Sequence, residues 1–274
     1  YPKEALMEID KYFMMKPGSI NVPKIYLGAK ITLEELPNGA KAWSVSSSKY
    51  IQDSVKNLER KMEEKGLKLR PGVKAPLSNN YRPELDGSPE LNAEDATFYQ
   101  SLIGSLRWMV EMGRLDICCE VSMMSSCVAM PREGHLQQVF QIFGYLKAHH
   151  NARIILDPSY PMVKESDFPK QDWGKFYKVD KEAVANNVPI SLGMEMVIRG
   201  YVDADHAGDK VTRRSRTGFI IFVNSAPIYW LSKKQAGVET STFGSEFLAM
   251  KHCCEYLKGL RYKIRMMGIP LKHC

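Results

Sequence analysis

The chain has 274 residues, of which 44% are apolar and 25% charged, and its formal net charge is +7. No apolar run approaches the roughly 20 residues of a membrane-spanning helix, and the first residues lack the apolar centre of a signal peptide. These features exclude an integral membrane protein, so we expect an intracellular, cytoplasmic protein that is not secreted. The first residue is Tyr rather than Met, which predicts a fragment of a longer protein.

The positive charge is concentrated in the C-terminal part of the chain. Residues 199 to 274 contain 13 Lys and Arg against 6 Asp and Glu, whereas the preceding residues contain equal numbers of basic and acidic side chains. Because Lys and Arg hold phosphate groups and their binding releases counterions, this excess favours a polyanionic partner. A solvated basic face explains the same charges without any ligand.

The first half of the chain predicts strands followed by helices. Residues 22 to 33 are strand-rich, and a helix beginning near Ser48 has one apolar face, made by Ile51, Val55, Leu58 and Met62. Four prolines between 67 and 91 indicate an extended connection. Asn92 caps a second helical region, and three helices between 92 and 150 form a small helical unit, in which His135 has a packing or capping role.

The second half predicts a connector followed by a sheet and a helix. Residues 156 to 194 show little periodicity. The runs "EMVIRGYVDA", "TGFIIFVN" and "APIYWLS" are separated by short polar turns, which predicts three neighbouring antiparallel strands. A helix begins near Ser241, and its apolar spacing predicts one buried stripe. The stripe consists of Phe243, Phe247, Met250, Cys254 and Leu257.

Two kinds of metal site are disfavoured by residue spacing. The six cysteines lack CxxC spacing, so we expect reduced thiols and no zinc site. The stretch "DADHAG" fits the start of a calcium loop, but Ala207 and Arg214 occupy positions where that loop requires ligands.

The acidic residues of this stretch suit a magnesium site better than a zinc or calcium site. Asp203 and Asp205 are two apart, so on a strand they share one face of the sheet. Glu246, in the first turns of the following helix, is the candidate third ligand. Such oxygen ligands near a basic surface suit phosphodiester hydrolysis by paired Mg²⁺ ions. The alternative is a turn stabilised by Asp side chains between Asp203 and Asp209, with a solvated Glu246.

Several motifs, in order, carry a resemblance to one family. "YVDADHAGD", "RRSRTGFIIFVNSAPIYWLSKKQ" and "STFGSEFLAM" resemble the first half of the ribonuclease H domain of copia-type retrotransposon polyproteins. "YQSLIGSLRWMVEMGRLDI" and "HLQQVFQIFGYLKAHH" resemble their connection segment, and "IYLGAKI" with "SSSKYIQDSV" resembles the end of the reverse transcriptase palm and the start of its thumb. Leu115 and the pair Phe243-Gly244 depart from the usual family residues.

The resemblance implies a mixed α and β fold in four segments. These are a residual palm and thumb at 1–78, a helical connection at 79–155, a linker at 156–195 and a truncated ribonuclease H-like domain at 196–274, with three antiparallel strands followed by a helix. The parent activity would be cleavage of RNA in RNA:DNA hybrids.

The resemblance also implies roles for individual residues. Asp203 and Glu246 would be catalytic carboxylates of a four-carboxylate, two-Mg²⁺ site, with Asp205 a second choice of strand ligand. The residues expected to approach the hybrid backbone are Lys233, Lys234, Gln235, Arg213, Arg214 and Arg216. Tyr26, Leu27 and Gly28 fall where the family has a primer-gripping hairpin, although an apolar core strand explains them equally well.

The chain lacks parts of both family activities. It has no Asp-Asp pair for polymerisation, and the only acid after Glu246 is Glu255, which lies on the other side of the helix. We therefore expect this chain alone to be inactive as a nuclease, with the missing polyprotein segments as its partners. The alternatives are a non-catalytic nucleic-acid-binding module and a non-functional relic.

Overall fold

The computed structural model describes residues 2–15, 21–162, 174–178 and 186–272. These residues form seven α-helices and two antiparallel sheets, so the mixed α and β class is confirmed. The predicted connector is only partly covered, because residues 163–173 and 179–185 lie outside the described residues. None of the helices among the described residues is long and apolar enough to cross a membrane.

The first sheet combines strands from both ends of the N-terminal half. It lies after α1 (Pro2–Asp10), and its strand order follows the chain. The strands are β1 (Ile25–Tyr26), β2 (Ala29–Glu35), β3 (Lys41–Ser46) and β4 (Ile154–Leu156). Because β4 follows the helical unit and pairs antiparallel with β3, it ties that unit to the sheet.

The main core lies among four helices. They are α2 (Ser48–Glu64), α3 (Ala93–Glu111), α4 (Cys118–Ser125) and α5 (Glu133–Ala148). The predicted apolar face of α2 is buried in this core. Asn92 caps α3 by accepting a hydrogen bond from the Asp95 amide at 2.9 Å. His135 is buried, accepts from the Arg132 amide and contacts the Pro83 carbonyl, as its predicted capping role requires.

The second sheet has the three antiparallel strands that the sequence predicts. After α6 (Gly174–Tyr177), the strands are β5 (Ile198–Asp205), β6 (Arg216–Val223) and β7 (Ala226–Lys234), followed by α7 (Thr242–Met266). One face of this sheet packs against α7, with Phe219, Ile221 and Cys253 in the contact. The other face reaches the helical core, where the Trp230 indole donates a hydrogen bond to the Val110 carbonyl at 3.1 Å.

The predicted buried stripe of α7 is wrong in most of its residues. Phe243, Phe247 and Met250 are 78%, 51% and 47% exposed, and Cys254 is also exposed. The helix instead buries the smaller residues Ser245, Ala249 and Cys253. The reason is close packing on Gly200 of β5, where a Cβ atom would lie only 2.7 Å from the Cys253 Sγ atom.

Candidate nucleic-acid interface

The two strand aspartates share a face of the second sheet, as predicted. Side chains alternate along a strand, and Gly200 faces α7. Asp203 and Asp205, at the alternate positions, therefore leave the sheet on the face away from α7. Glu246 is half-buried on α7 itself, so it approaches the sheet from the other side.

The surroundings of the two aspartates differ. Asp203 is exposed and lies opposite Gly218 of β6, and its carboxylate has no hydrogen bond or ion pair among the described residues. Asp205 lies opposite Arg216. Its carboxylate covers Gly208, where an added Cβ atom would fall 1.7 Å from the Asp205 Oδ2 atom. Glycine at 208 thus leaves the space that this carboxylate occupies.

The described residues do not assemble a two-metal centre. Among them, no group of three or more His, Cys, Asp or Glu side chains could hold a metal ion. Two ions in reacting geometry need several shared carboxylates, and Asp203, Asp205 and Glu246 do not converge on one point. The donor set therefore does not fit a pair of Mg²⁺ ions, and no metal-dependent step follows from it.

Asp209 organises the turn after β5. Its carboxylate accepts hydrogen bonds from the amides of Val211 and Thr212 at 3.1 and 2.7 Å, and it forms an ion pair with Lys234. Burial opposes ionisation, but Lys234 and Thr212 outweigh it and lower the pKa of Asp209 to about 2. The predicted placement of Asp209 in a turn is confirmed, and it is fixed there as a charged group.

The three residues at the end of β7 have different environments. Lys233 is exposed, whereas Lys234 is half-buried and paired with Asp209. Gln235 is buried, and its Nε2 atom donates to Thr217 Oγ1 at 3.1 Å and to the Ser245 carbonyl at 2.9 Å. Of these three residues, only Lys233 presents a free, exposed cation. Gln235 instead holds the sheet and α7 together through its two hydrogen bonds.

The predicted arginines lie on the loop that Asp209 holds. Arg213 and Arg214 are exposed, and Arg213 adopts a left-handed backbone conformation with φ of 57°. Arg216 begins β6, and its Nη1 atom donates to Ser122 Oγ of α4 at 2.6 Å. The loop also contacts the segment before α3, because the Lys210 amide donates to Glu84 Oε1 at 3.0 Å.

A cavity of about 370 Å³ lies where this loop meets the helical unit. Its charged lining comprises Arg82, Glu84, Asp205, Asp209, Arg214, Arg216 and Lys234. Asp209 and Lys234 neutralise each other. Within the described part of the chain, the guanidinium groups of Arg82 and Arg214 have no hydrogen bond or ion pair. Sequence reasoning missed Arg82, because it lies 132 positions from Arg214.

The thiols beside this cavity are not activated. Cys119 and Cys127 line it. Burial raises the pKa of Cys127 to about 11, and it raises the pKa of Cys119 as well. All five cysteines of the described residues are free, as the sequence predicts. A thiol with a raised pKa stays neutral near pH 7 and is a poor nucleophile, so the cavity is suited to binding rather than to thiol chemistry.

Tyr26, Leu27 and Gly28 form the tip of a β-hairpin. Tyr26 pairs with Ala29, and the two residues between them have φ of 50° and 88°. Positive values at both positions match the turns that connect tight hairpins. Tyr26 and Leu27 are exposed, so the core-strand interpretation is wrong for them, and a contact between this tip and a nucleic acid stays a prediction.

Comparison with known proteins gives several relatives. No protein-family model matches the chain, and no solved structure matches it. The chain is 28% identical over 177 residues to the retrovirus-related Pol polyprotein from transposon RE1 of Arabidopsis thaliana, an alignment that covers 65% of the chain and 10% of that protein. It is 25% identical over 269 residues to the corresponding polyprotein from transposon TNT 1-94 of Nicotiana tabacum, covering 97% of the chain and 17% of that protein.

A shorter relative has a different name. Secreted RxLR effector protein 161 of Plasmopara viticola is 23% identical over 167 residues, covering 61% of the chain and 94% of the effector. Three of the relatives are nevertheless retrovirus-related Pol polyproteins from transposons, and the chain spans 10% to 17% of their length. The chain is therefore similar to part of a retrotransposon Pol polyprotein.

Proposed function

We propose that the chain is a piece of a copia-type retrotransposon polyprotein. It comprises the end of the reverse transcriptase at 1–78, the connection at 79–155, a linker at 156–195 and the first half of a ribonuclease H domain at 196–274. The names of the transposon relatives support this proposal. So does the order of three antiparallel strands and a helix, with Asp203 on the first strand and Glu246 on the helix.

For the chain itself, we propose binding of the phosphate backbone of an RNA:DNA hybrid without cleavage. The observation that carries this proposal is the cavity between the helical unit and the second sheet. There, Arg82 and Arg214 come from distant parts of the chain to one cavity. Arginine guanidinium groups bind phosphate through several N–H donors, so two such groups at one cavity favour a polyanion.

Binding is tested by fluorescence anisotropy with a labelled RNA:DNA hybrid. We expect the double substitution Arg82→Ala and Arg214→Ala to weaken binding about tenfold or more and to reduce the salt slope by about two. Arg60→Ala, on the exposed face of α2, is the matched control and should change affinity little. An affinity that does not depend on ionic strength, or that falls equally in both variants, would contradict the proposal.

Cleavage is tested with the same hybrid in the presence of Mg²⁺. We expect no cleavage by the purified chain and no difference on Asp203→Asn, because the described residues do not assemble a two-metal centre. The control is an intact ribonuclease H under identical conditions. Mg²⁺-dependent cleavage that Asp203→Asn abolishes would show that the chain is active by itself.

A further inference from the structure

β5 has an open outer edge. The second sheet has the order β5-β6-β7, so β6 pairs with only one side of β5. Among the described residues, the other side is occupied only just before the strand, where Met196 bridges to Leu271. The outward N–H and C=O groups between Ile198 and Ala204 have no neighbouring strand. An exposed edge of this kind is a template for pairing with another strand.

An apolar stripe of α7 borders the same edge. Tyr256 stacks on Tyr229 of β7, which fixes the side of α7 that faces the far edge of the sheet. At about 100° per residue, Phe243, Phe247 and Met250 project on the opposite side of the helix, beyond β5. All three are exposed. The open strand and the apolar stripe therefore form one continuous surface.

Two charges on β5 are left without counter-charges by their own sheet. Arg199 lies opposite Phe222, and Asp203 lies opposite Gly218. Arg199 donates to the Tyr201 hydroxyl at 3.0 Å and to the Asn224 carbonyl at 2.9 Å, but its Nε atom is buried without a partner. Among the described residues, neither Arg199 nor Asp203 forms an ion pair.

We propose that β5 pairs antiparallel with β5 of a second copy of this chain, centred on Tyr201. In that register, Arg199 lies opposite the partner's Asp203, and the two-fold symmetry repeats the pair. Directly opposite residues of antiparallel strands share a face, so each ion pair forms on the face away from α7. Parallel pairing in register would instead set like charges side by side.

The same register accommodates the rest of the surface. Ile198 lies opposite the partner's Ala204, so the paired stretch ends before Met196 and does not displace Leu271. The two α7 helices then lie on one face of a continuous six-stranded sheet and bring their apolar stripes toward each other. A self-complementary patch of this kind is what a two-fold dimer requires. Asp205 does not provide the counter-charge, because Arg216 already lies opposite it.

Charge reversal tests this interface. Sedimentation velocity of the full chain over a range of concentrations should show a monomer–dimer equilibrium. Arg199→Asp and Asp203→Arg should each raise the dissociation constant at least tenfold, and the double variant should restore the dimer. Asp205→Arg combined with Arg199→Asp should not restore it. Phe247→Lys, which alters an exposed residue of the stripe, should also weaken the dimer.

Circular dichroism establishes that each variant is folded. Asp203→Arg replaces an exposed residue that faces a glycine, so it provides a folded reversal even where Arg199→Asp disturbs the Asn224 contact. The proposal would be overturned if the wild type were monomeric at every concentration. A monomer is also the result expected if another segment covers the edge of β5. A dimer that neither single reversal weakens, or a folded double variant that stays monomeric, would also overturn it.

Discussion

Arg114 and Asp116 form a bidentate ion pair in the segment between α3 and α4. Arg114 Nε donates to Asp116 Oδ1 at 2.8 Å, and Nη2 donates to Oδ2 at 2.6 Å. The Arg114 side chain is 1% exposed, and the Tyr145 hydroxyl also donates to Asp116. Through this Tyr145 hydrogen bond, the pair links the segment after α3 to α5. Its two members flank Leu115 in the sequence.

The first prediction is that Arg114→Leu destabilises the chain by about 1 to 3 kcal/mol, because it leaves a carboxylate that is only 33% exposed without its cation. Burial favours the neutral form of Asp116, but Arg114 and Tyr145 lower its pKa. Removing Arg114 should therefore raise that pKa. Urea unfolding measures the free energy, and Arg107→Leu on the exposed side of α3 is the control. Equal effects of the two substitutions would refute a specific role of the ion pair.

The second prediction concerns the pH dependence of stability through Asp209. Its pKa is lowered from 3.8 to about 2 in the folded chain, mainly by Lys234 and Thr212 acting against burial. The ionised carboxyl therefore stabilises the fold by roughly 2 kcal/mol above about pH 4, and this stabilisation disappears as pH falls toward 2. Asp209→Asn should lower the free energy of unfolding by about that amount at pH 7.

The measurement is urea unfolding of wild type and Asp209→Asn between pH 3 and 7. The difference in free energy should be constant from pH 7 to about 5 and should shrink below pH 4. Asp53→Asn, which removes a wholly surface ion pair with Lys49, is the control and should have little effect. A difference that stays the same down to pH 3 would show that ionisation of Asp209 is not the cause.

The sequence predicted the elements better than their contacts. The apolar spacing of α2 identified its buried face correctly, because large residues there meet other large residues in one core. The spacing of α7 failed because two stripes compete on that helix. The sheet accepts the stripe with smaller residues, since Gly200 allows the helix to approach closely. Periodicity alone contains no information about a glycine on another element.

The candidate site shows the same limit. Alternation along β5 correctly put Asp203 and Asp205 on one face, which is a local property of any strand. Arg82 could not be predicted, because its approach to Arg214 depends on how the 206–214 loop docks on the helical unit. The buried position of Gln235 also depends on α7 and β6 together. Contacts between distant segments decide these cases.

The third prediction compares two helical glycines. A Cβ atom at Gly144 of α5 would lie 2.9 Å from Val73 Cγ2 and 3.3 Å from the Arg70 carbonyl oxygen. Gly144→Ala should therefore destabilise the chain by about 1 to 3 kcal/mol through overpacking. Gly104 of α3 has nothing within 4 Å of that position, so Gly104→Ala should stabilise by about 0.5 to 1 kcal/mol. Thermal unfolding of both variants measures the two effects.

Opposite signs are the expected result for this pair. Each substitution adds the same methyl group to a helix interior, so helix propensity favours alanine at both positions. Only the neighbours of the new methyl group differ. If Gly144→Ala stabilised the chain as much as Gly104→Ala, the contact between α5 and residues 70–73 would be looser than the structure has it.

The fourth prediction separates two neighbours at the end of β7. Gln235 donates to Thr217 and to the Ser245 carbonyl inside the fold, whereas Lys233 is exposed. Gln235→Ala should destabilise the chain by about 1 to 3 kcal/mol, because it removes two buried hydrogen bonds, to Thr217 Oγ1 and to the Ser245 carbonyl. Lys233→Ala should leave stability unchanged and weaken binding to the RNA:DNA hybrid, with a smaller salt slope.

Urea unfolding and hybrid binding are measured on both variants, with binding recorded at a temperature where each is folded. Gln235→Ala should bind the hybrid with wild-type affinity, because its amide lies among Thr217 and α7 and cannot reach a phosphate. A loss of affinity in folded Gln235→Ala without a loss of stability would instead place Gln235 on the binding surface. That outcome would require the end of β7 to open from Ser245 when nucleic acid binds.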